Sequence, residues 1–514
     1  MNTPESFSRG VGSKRNMAVT GVMLVIFLFA IDATIVATSM PTIVAQLGGL
    51  ELYSWVFSIY MLTSALATPI FGKLADLFSR RKLMLIGIGI FLLGTILCGA
   101  AQSMEAMILF RAVQGVGGGA IYSLSFIVVG ILYAPEMRAK MQGIISSIWG
   151  VASILGPLAG GIIVEAWNWR WIFFVNLPLI AIASTLIIVG LKEEQRQTRT
   201  PKLDLWGATT LLAGLLLLFY ALAQSAHEHH PLNAQTLVMI GLGLLILAAF
   251  VVIERRAEEP IMPVDLFHIG LFRSSAAVAT LCSMGVFGAI SYLPLYLQGV
   301  LGTAASQAGL VLVFLSLGWT AGSLLAGRWI NRNGYRVVAA AGMALLVLGY
   351  GIFVAPHVSA GIIAVIVSAV AIGVGMGLAN LTTLVAAQTG SPSNRIGVAT
   401  STIMLFRTFG GAFAVSLMGT VLLNRMQQGL NQIQSTNTTV PADMWHKLAN
   451  PQNLLEPSTR AQIPAELLPQ LIATLGDAIW YAFGAAFILM LFGLMISFFI
   501  PPYTPATTPK PARK

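Results

Sequence analysis

The stretch GKLADLFSRRK, residues 72–82, recurs in outline as GRWINRNGYRV, residues 327–337. Gly72 matches Gly327, Asp76 matches Asn331, Ser79 matches Gly334 and Arg81 matches Arg336, at identical spacing. Each copy is a basic loop between long apolar runs, so the number of runs between the copies decides the fold. Crossing a bilayer takes about 20 apolar residues. The segments that meet this are 17–38, 53–75, 83–101, 106–131, 139–164, 170–191, 205–224, 235–253, 274–298, 306–328, 336–355, 359–386, 396–423 and 472–499, fourteen in all. The two copies follow spans 2 and 10, an offset of eight spans. A duplicated six-span unit with two spans inserted between its copies gives that offset. The expectation is an all-α polytopic membrane protein. Residues 1–191 form one six-helix bundle, 192–265 two inserted helices with linkers, and 266–500 a second, pseudo-symmetric bundle. An external loop at 424–470 and a Pro-rich, disordered tail at 501–514 complete the chain. Parallel halves with a site between them near the midplane are a transporter architecture.

Composition agrees. Hydrophobic residues make up 56% of the 514 and charged residues 9%, against about a quarter charged in soluble domains. Mean hydropathy is +0.82. The net charge of +10 would suggest nucleic acid in a soluble protein. Here the basic residues sit in short loops, where they set topology and meet anionic lipid. With the N-terminus inside, inner loops hold Arg80, Arg81 and Lys82, Arg138 and Lys140, Lys192 to Lys202, Arg255 to Arg273, Arg328 to Arg336, and Arg395. The outer side keeps Arg170, Arg425, Lys447 and Arg460. This segregation places both termini in the cytoplasm, and the first span is retained, since no A-x-A-like cleavage site follows it. Cys98 and Cys282 lie inside apolar runs and form no disulfide.

Five segments then carry a resemblance: IDATIVATSMP (31–41), GKLADLFSRRK (72–82), RAVQGVGGG (111–119), GPLAGG (156–161) and WRWIFFVNLP (169–178). In this order, on these spans, the chain resembles the major facilitator superfamily, in its fourteen-span drug:proton antiporter branch of multidrug-exporter type. The resemblance implies alternating access, with protons as coupling ion and no cofactor, in the cell membrane of a bacterium, by a functional monomer.

Within the loop, Gly72 permits close helix approach, and Asp76 sits where the start of span 13, near Asn394, presents a positive dipole end. Such a contact ties the halves at the inner face, the role of this motif in the family. Arg80 and Arg81, with Asn331 and Arg336 in the second copy, complete the expected inner gate. The family's basic residue and glycine after the aspartate are replaced here by Leu77 and Ser79. In GPLAGG, Pro157 is expected to bend span 5. Gly156, Gly160 and Gly161 are expected to make a face for span 10, which offers Gly309, Gly318 and Gly322. The segment resembles the motif that marks antiporters.

Asp32 is the acid deep in the membrane. An aspartate at a helix centre costs roughly 2.5–3.5 kcal/mol on insertion scales. Asp32 lies about 9–12 Å below the outer end of span 1, and Arg111 about 9 Å below the outer start of span 4. Opposite charges at one depth, beside an aqueous cavity, offset each other's desolvation. Asp32, with Arg111, is therefore expected to couple protons. Arg407 falls near the midplane of span 13 without a second deep acid. The expectations for it are Asp32 across the cavity, a backbone carbonyl, or an anionic group on the substrate. Dications are disfavoured, because span 10 lacks the extra acids that dication-selecting relatives carry.

Glu165 and Arg425, at the outer rims of opposite halves, are candidates for an outer gate. Tyr60, Gln114, Trp149, Tyr292, Tyr296, Trp319, Asn380 and Phe406, with Arg407, are candidates for the substrate wall, and helix packing competes for each. HEHH at 227–230 reads as a solvated turn and not a metal site. GVGGGA and GVGMG lie inside spans, where phosphate cradling has no place, and no GxxxxGK[ST] supports ATP drive. The leading expectation is a proton-coupled exporter of amphipathic drugs or dyes; export of a lipid or lipid-linked metabolite is the alternative. A membrane-embedded enzyme stands further off, lacking HExxH, GxSxG or a deep histidine, and a non-transporting sensor is disfavoured by the gate segments.

Overall fold

The computed structural model describes residues 5–48, 52–133, 135–191, 204–225, 234–257, 260–303, 305–355, 361–436, 445, 463–464 and 466–502. They fold into helices α1 (Glu5–Leu47), α2 (Tyr53–Leu77), α3 (Arg80–Gly99), α4 (Met104–Leu132), α5 (Pro135–Ala166), α6 (Trp171–Phe174) and α7 (Asn176–Gly190). These are followed by α8 (Leu205–Ser225), α9 (Ala234–Glu254), α10 (Gly270–Leu295), α11 (Ala305–Val354), α12 (Ile362–Gly390), α13 (Ile396–Thr436) and α14 (Leu468–Ser497). Helices dominate because lipid supplies no water to satisfy free backbone groups. Residues exposed along them, such as Leu109, Ile162, Leu245 and Ile363, are large and apolar, as a hydrocarbon solvent requires.

Twelve of the described helices are long and apolar enough to cross a membrane, and Trp206–Leu218, within α8, is a shorter apolar stretch. One of the twelve, Gln307–Val354, belongs to the 50-residue α11. A helix of that length measures about 75 Å, against a hydrocarbon core of about 30 Å. Gly334 interrupts it with φ 74°, ψ 171°, a left-handed conformation that a side chain resists, and divides α11 into two arms. This glycine belongs to the second copy of the repeated loop.

The chain builds two bundles, α1–α7 and α10–α14, consistent with pseudo-symmetry. α2 of the first packs against α13 of the second, and α5 of the first against α11 of the second. The glycines that open the two loops sit at these contacts. A Cβ on Gly72 would overlap Ser401 of α13, and one on Gly327 would come within 3.0 Å of Ala139 O in α5. The apolar core of the first bundle runs on into Phe272, Ala276, Leu384, Val398 and Ile403 of the second, so the halves share packing at their inner ends. Between the bundles, α8 pairs with α9 and packs on α2 and α13, with Leu66, Leu211, Leu215, Phe250 and Leu405 in one apolar seam.

Two expectations are corrected. α13 does not end near 423 but runs to Thr436, so the beginning of the expected external loop is helical. Met426, Leu430 and Ile433 are buried along this extension and Arg425, Gln428 and Gln432 are not, an amphipathic face that continues the helix after the lipid ends. The glycines of α5 also do not form the expected face for span 10. A Cβ on Gly156 would overlap Thr34 of α1, one on Gly161 would meet open space, and Gly160 is buried. A Cβ on Gly318 would come within 2.8 Å of Val370 O of α12, one on Gly322 would overlap Val374 of α12, and one on Gly309 would meet open space. The close α5–α11 approach is at Gly143, where a Cβ would stand 2.7 Å from Ser323 O, and at Gly150, where one would overlap Thr320. α5 runs helical through Pro157, whose side chain is outside the described set. Most of 437–462, the HEHH turn and 503–514 also lie outside the described residues.

Candidate functional site

Asp32, on α1, is fully buried, and Arg111, on α4, is 1% exposed. Arg111 Nη1 donates to Asp32 Oδ2 at 2.6 Å and to Gln114 Oε1 at 2.8 Å. Gln114 Nε2, one helical turn along α4, donates to Asp32 Oδ1 and to Thr95 Oγ1 of α3, both at 2.9 Å. The Arg111 guanidinium lies 4.1 Å from the centroid of the Tyr60 ring on α2, and its Nε donates to Val56 O at 3.4 Å. Four helices thus surround one charge pair with donors and a π face. Both carboxylate oxygens accept hydrogen bonds, the pattern of an ionised carboxylate. Donors on both oxygens, beyond the counter-ion, are what a buried ion pair requires to offset its desolvation.

This differs from the expectation in one respect. Asp32 does not face an aqueous cavity in this conformation; it is sealed inside the first bundle, beneath the apolar cluster of Val36, Met40, Val56 and Met107. Side-chain donors do what water was expected to do. Gln114 and Tyr60, expected on the substrate wall, belong to this network.

At the end of the bundles that carries the repeated basic loops, Gly397 N and Val398 N, in the first turn of α13, donate to the two carboxylate oxygens of Asp76, each at 2.9 Å. Asp76 caps a helix that begins over three hundred residues later, where unsatisfied backbone N–H groups and the positive dipole end favour a carboxylate. Gly72 and Gly397 allow this approach: a Cβ on Gly397 would stand 2.6 Å from Asp76 Oδ1. Arg80 is buried, Arg81 half-buried and Asn331 exposed, while Arg336 Nε donates to Ile500 O at 2.7 Å and ties the second loop to the C-terminal end of α14.

A second contact between the bundles was missed in the sequence. Gln142 Nε2 of α5 donates to Gln388 Oε1 of α12 at 2.7 Å, and Gln388 Nε2 donates to Thr400 Oγ1 of α13 at 2.9 Å. Both amides are buried. The available signal was a polar amide at the inner end of each of two apolar spans, which is costly unless paired.

Between the halves lies an aromatic cluster. Trp149 of α5 stacks on Trp319 of α11 with centroids 5.8 Å apart, and Phe29 and Tyr122 stand 5.7 and 6.2 Å from Trp149. Arg407 Nη2 donates to the Asn380 carbonyl and, at 3.4 Å, to Thr383 Oγ1. Of the three expectations for Arg407, the backbone carbonyl is the one this conformation contains. The remaining wall candidates pack within the second half: Tyr292 donates to Val415 O at 2.7 Å, Tyr296 meets Phe353 edge-on at 5.5 Å, and Phe406 lies 5.8 Å from Phe267. Periodicity could not separate these, since each helix is apolar on every face.

The proposed outer ion pair is not formed here. Glu165 is exposed, and Arg425 lies over the Tyr481 ring at 3.6 Å, beside a cavity of about 400 Å³ between α13 and α14. Among the described residues no three metal-ligating side chains converge.

The model of the Major Facilitator Superfamily matches residues 22–415. The chain belongs to the major facilitator superfamily. The Multidrug transporter protein MdtP of Bacillus subtilis (strain 168) is 33% identical over 510 residues, covering 96% of this chain and 94% of that protein. Multidrug resistance protein 3 of the same organism is 32% identical over 501 residues, covering 96% and 97%. The fold is that of the human organic anion transporter MFSD10 (TETRAN), with a TM-score of 0.62 at 17% identity, covering 94% of this chain and 99% of that one. As a major facilitator the protein is a multi-pass membrane transporter and not an enzyme.

Proposed function

We propose that this major facilitator is a proton-coupled exporter of amphipathic compounds, working by alternating access, with Asp32 carrying the proton. The single observation behind it is the fully buried carboxylate held by Arg111 and Gln114 in a chain whose long relatives are named as multidrug transporters. Fourteen crossings fit the chain: α11 is too long for one crossing and breaks at Gly334, and α8 and α9 form a hairpin. The halves then correspond to residues 1–191 and 266–500, with both termini on the side of the basic loops, in a bacterial cell membrane.

The Asp76 clasp and the Gln142–Gln388 bond describe a transporter closed at its inner side. Protonation turns one acceptor oxygen of Asp32 into a donor, so it can no longer accept from both Arg111 and Gln114. The grip of α1 on α4 loosens. On the same helix, Thr34 Oγ1 donates to Ala152 O of α5 at 3.2 Å, one turn from Trp149, so a shift of α1 reaches the interface between the halves. Facing outside, Asp32 takes a proton and cargo leaves; facing inside, it releases the proton and cargo binds. In inverted vesicles energised with a proton gradient, wild type is expected to accumulate dyes from an amphipathic panel. Asp32→Asn is expected to reach the membrane, with lowered stability because Arg111 loses its counter-charge, and to lose gradient-driven uptake; uptake that persists in Asp32→Asn removes Asp32 from the role.

A further inference from the structure

Arg407 stands about 16 Å along α13 from its inner end, near the middle of the hydrocarbon core. Its partners are a carbonyl and a hydroxyl, both neutral, and its Nε has no hydrogen-bond partner although buried. Among the described residues no carboxylate lies within ion-pair distance of it; the deep acid Asp32 is taken by Arg111. A partly buried guanidinium whose Nε is sealed from solvent and unpaired, with no counter-charge, is what folded membrane proteins avoid, unless the site is completed by something else. Two further polar atoms are left open nearby. Asn380, which accepts from Arg407 through its backbone carbonyl, is 6% exposed and its Oδ1 has no partner. Trp149 Nε1 is buried and also unpaired. These groups come from both halves: Trp149 stacks on Trp319 and stands 6.2 Å from Tyr122, which lies within electrostatic reach of Arg407.

We infer that Arg407 is the anion-binding residue of the cargo site, and that the preferred cargo is an anionic amphiphile. An aromatic body lies against the Trp149–Trp319 pair, and a carboxylate or phenolate accepts from Arg407 Nε. A hydroxyl or N–H on the same molecule is then placed to donate to Asn380 Oδ1. The inference rests on the export reading above and names its substrate class. It also explains why an arginine is kept where a leucine would pack at lower cost: the missing negative charge arrives with the cargo when the halves part.

Fluorescein and rhodamine 123 share a xanthene body and differ in charge, so their binding isolates the charge term. Binding to the purified full-length protein is read by dye anisotropy in detergent at symmetrical pH, without any gradient. Wild type is expected to bind fluorescein more tightly than rhodamine 123. Arg407→Gln is expected to weaken fluorescein by about tenfold or more, the usual worth of a hydrogen-bonded charge, and to leave rhodamine 123 unchanged or tighter. Arg407→Lys, which keeps the charge, is expected to recover part of the loss. Wild type that prefers rhodamine 123, or that binds neither dye, overturns the inference. So does an equal loss of both dyes in Arg407→Gln, which would make Arg407 a pin between α12 and α13. Intact fluorescein binding in Asp32→Asn together with surviving gradient-driven transport would sink the proton-coupling assignment alone.

Discussion

Asp32 and Arg111 show how a membrane interior tolerates ionised groups. Neither charge is paid for by water; each is held by the other and by Gln114, Thr95 and the Tyr60 ring. Removing one member of such a pair costs more than removing both, because the survivor stays buried without a partner. Arg111→Gln is therefore expected to lower stability by about 3–5 kcal/mol. The double variant Arg111→Gln/Asp32→Asn is expected to regain most of that while still failing to couple protons. Thermal unfolding of the purified variants in one detergent measures the difference. A double variant no more stable than Arg111→Gln would show that the pair contributes through shape and not charge.

At the scale of elements, the α8–α9 pair packs beside the clasp. α8, with α9 packed against it, lies on α2, which carries Asp76, and on α13, which Asp76 caps. The exit from α9 is held by Glu254, 3% exposed, whose Oε1 accepts from Ile261 N at 3.0 Å and Met262 N at 3.3 Å. Glu254→Ala would strand two backbone donors, at a local cost of about 1–3 kcal/mol. Amide hydrogen exchange at Ile261 and Met262 is expected to speed up, with protection in α4 unchanged; unaltered exchange at both would mean that the linker is held by its packing. Much at this scale was legible in the sequence. Two long helical bundles could be read from the apolar runs, and the Asp76–α13 contact followed from which loop faces which helix start. Two things were not legible. Hydropathy reports where lipid ends, not where a helix ends, so α13 was cut short of Met426, Leu430 and Ile433. Glycine spacing reports that a helix has close neighbours without saying which, and α5 has α1 on one side and α11 on the other. Buried amides such as Gln142 and Gln388 escape for a related reason: one polar residue in an apolar run has no visible partner until the chain is folded.

The whole molecule has an inner seam of three parts: the Asp76 cap on α13, the Gln142–Gln388–Thr400 chain, and the apolar core shared between the bundles. These three parts are hydrogen bonds and apolar contact, which can be rebuilt after opening if the halves rock as proposed. The buried amide bond is the sharpest probe of that cycle, because it exists only while α5 and α12 touch. Two long side chains meeting tip to tip leave their backbones too far apart for a direct disulfide, so cysteines placed there need a short bifunctional thiol reagent. Cys98 and Cys282 are buried and do not compete for it. Gln142→Cys/Gln388→Cys treated with such a reagent is expected to join the two halves, seen after proteolysis in a linker as one band instead of two. Dye transport is expected to stop, and to return when a cleavable reagent is reduced. Treated protein that carries the link and still transports at the wild-type rate would show that the inner seam does not open during the cycle, and alternating access between these bundles would have to be abandoned.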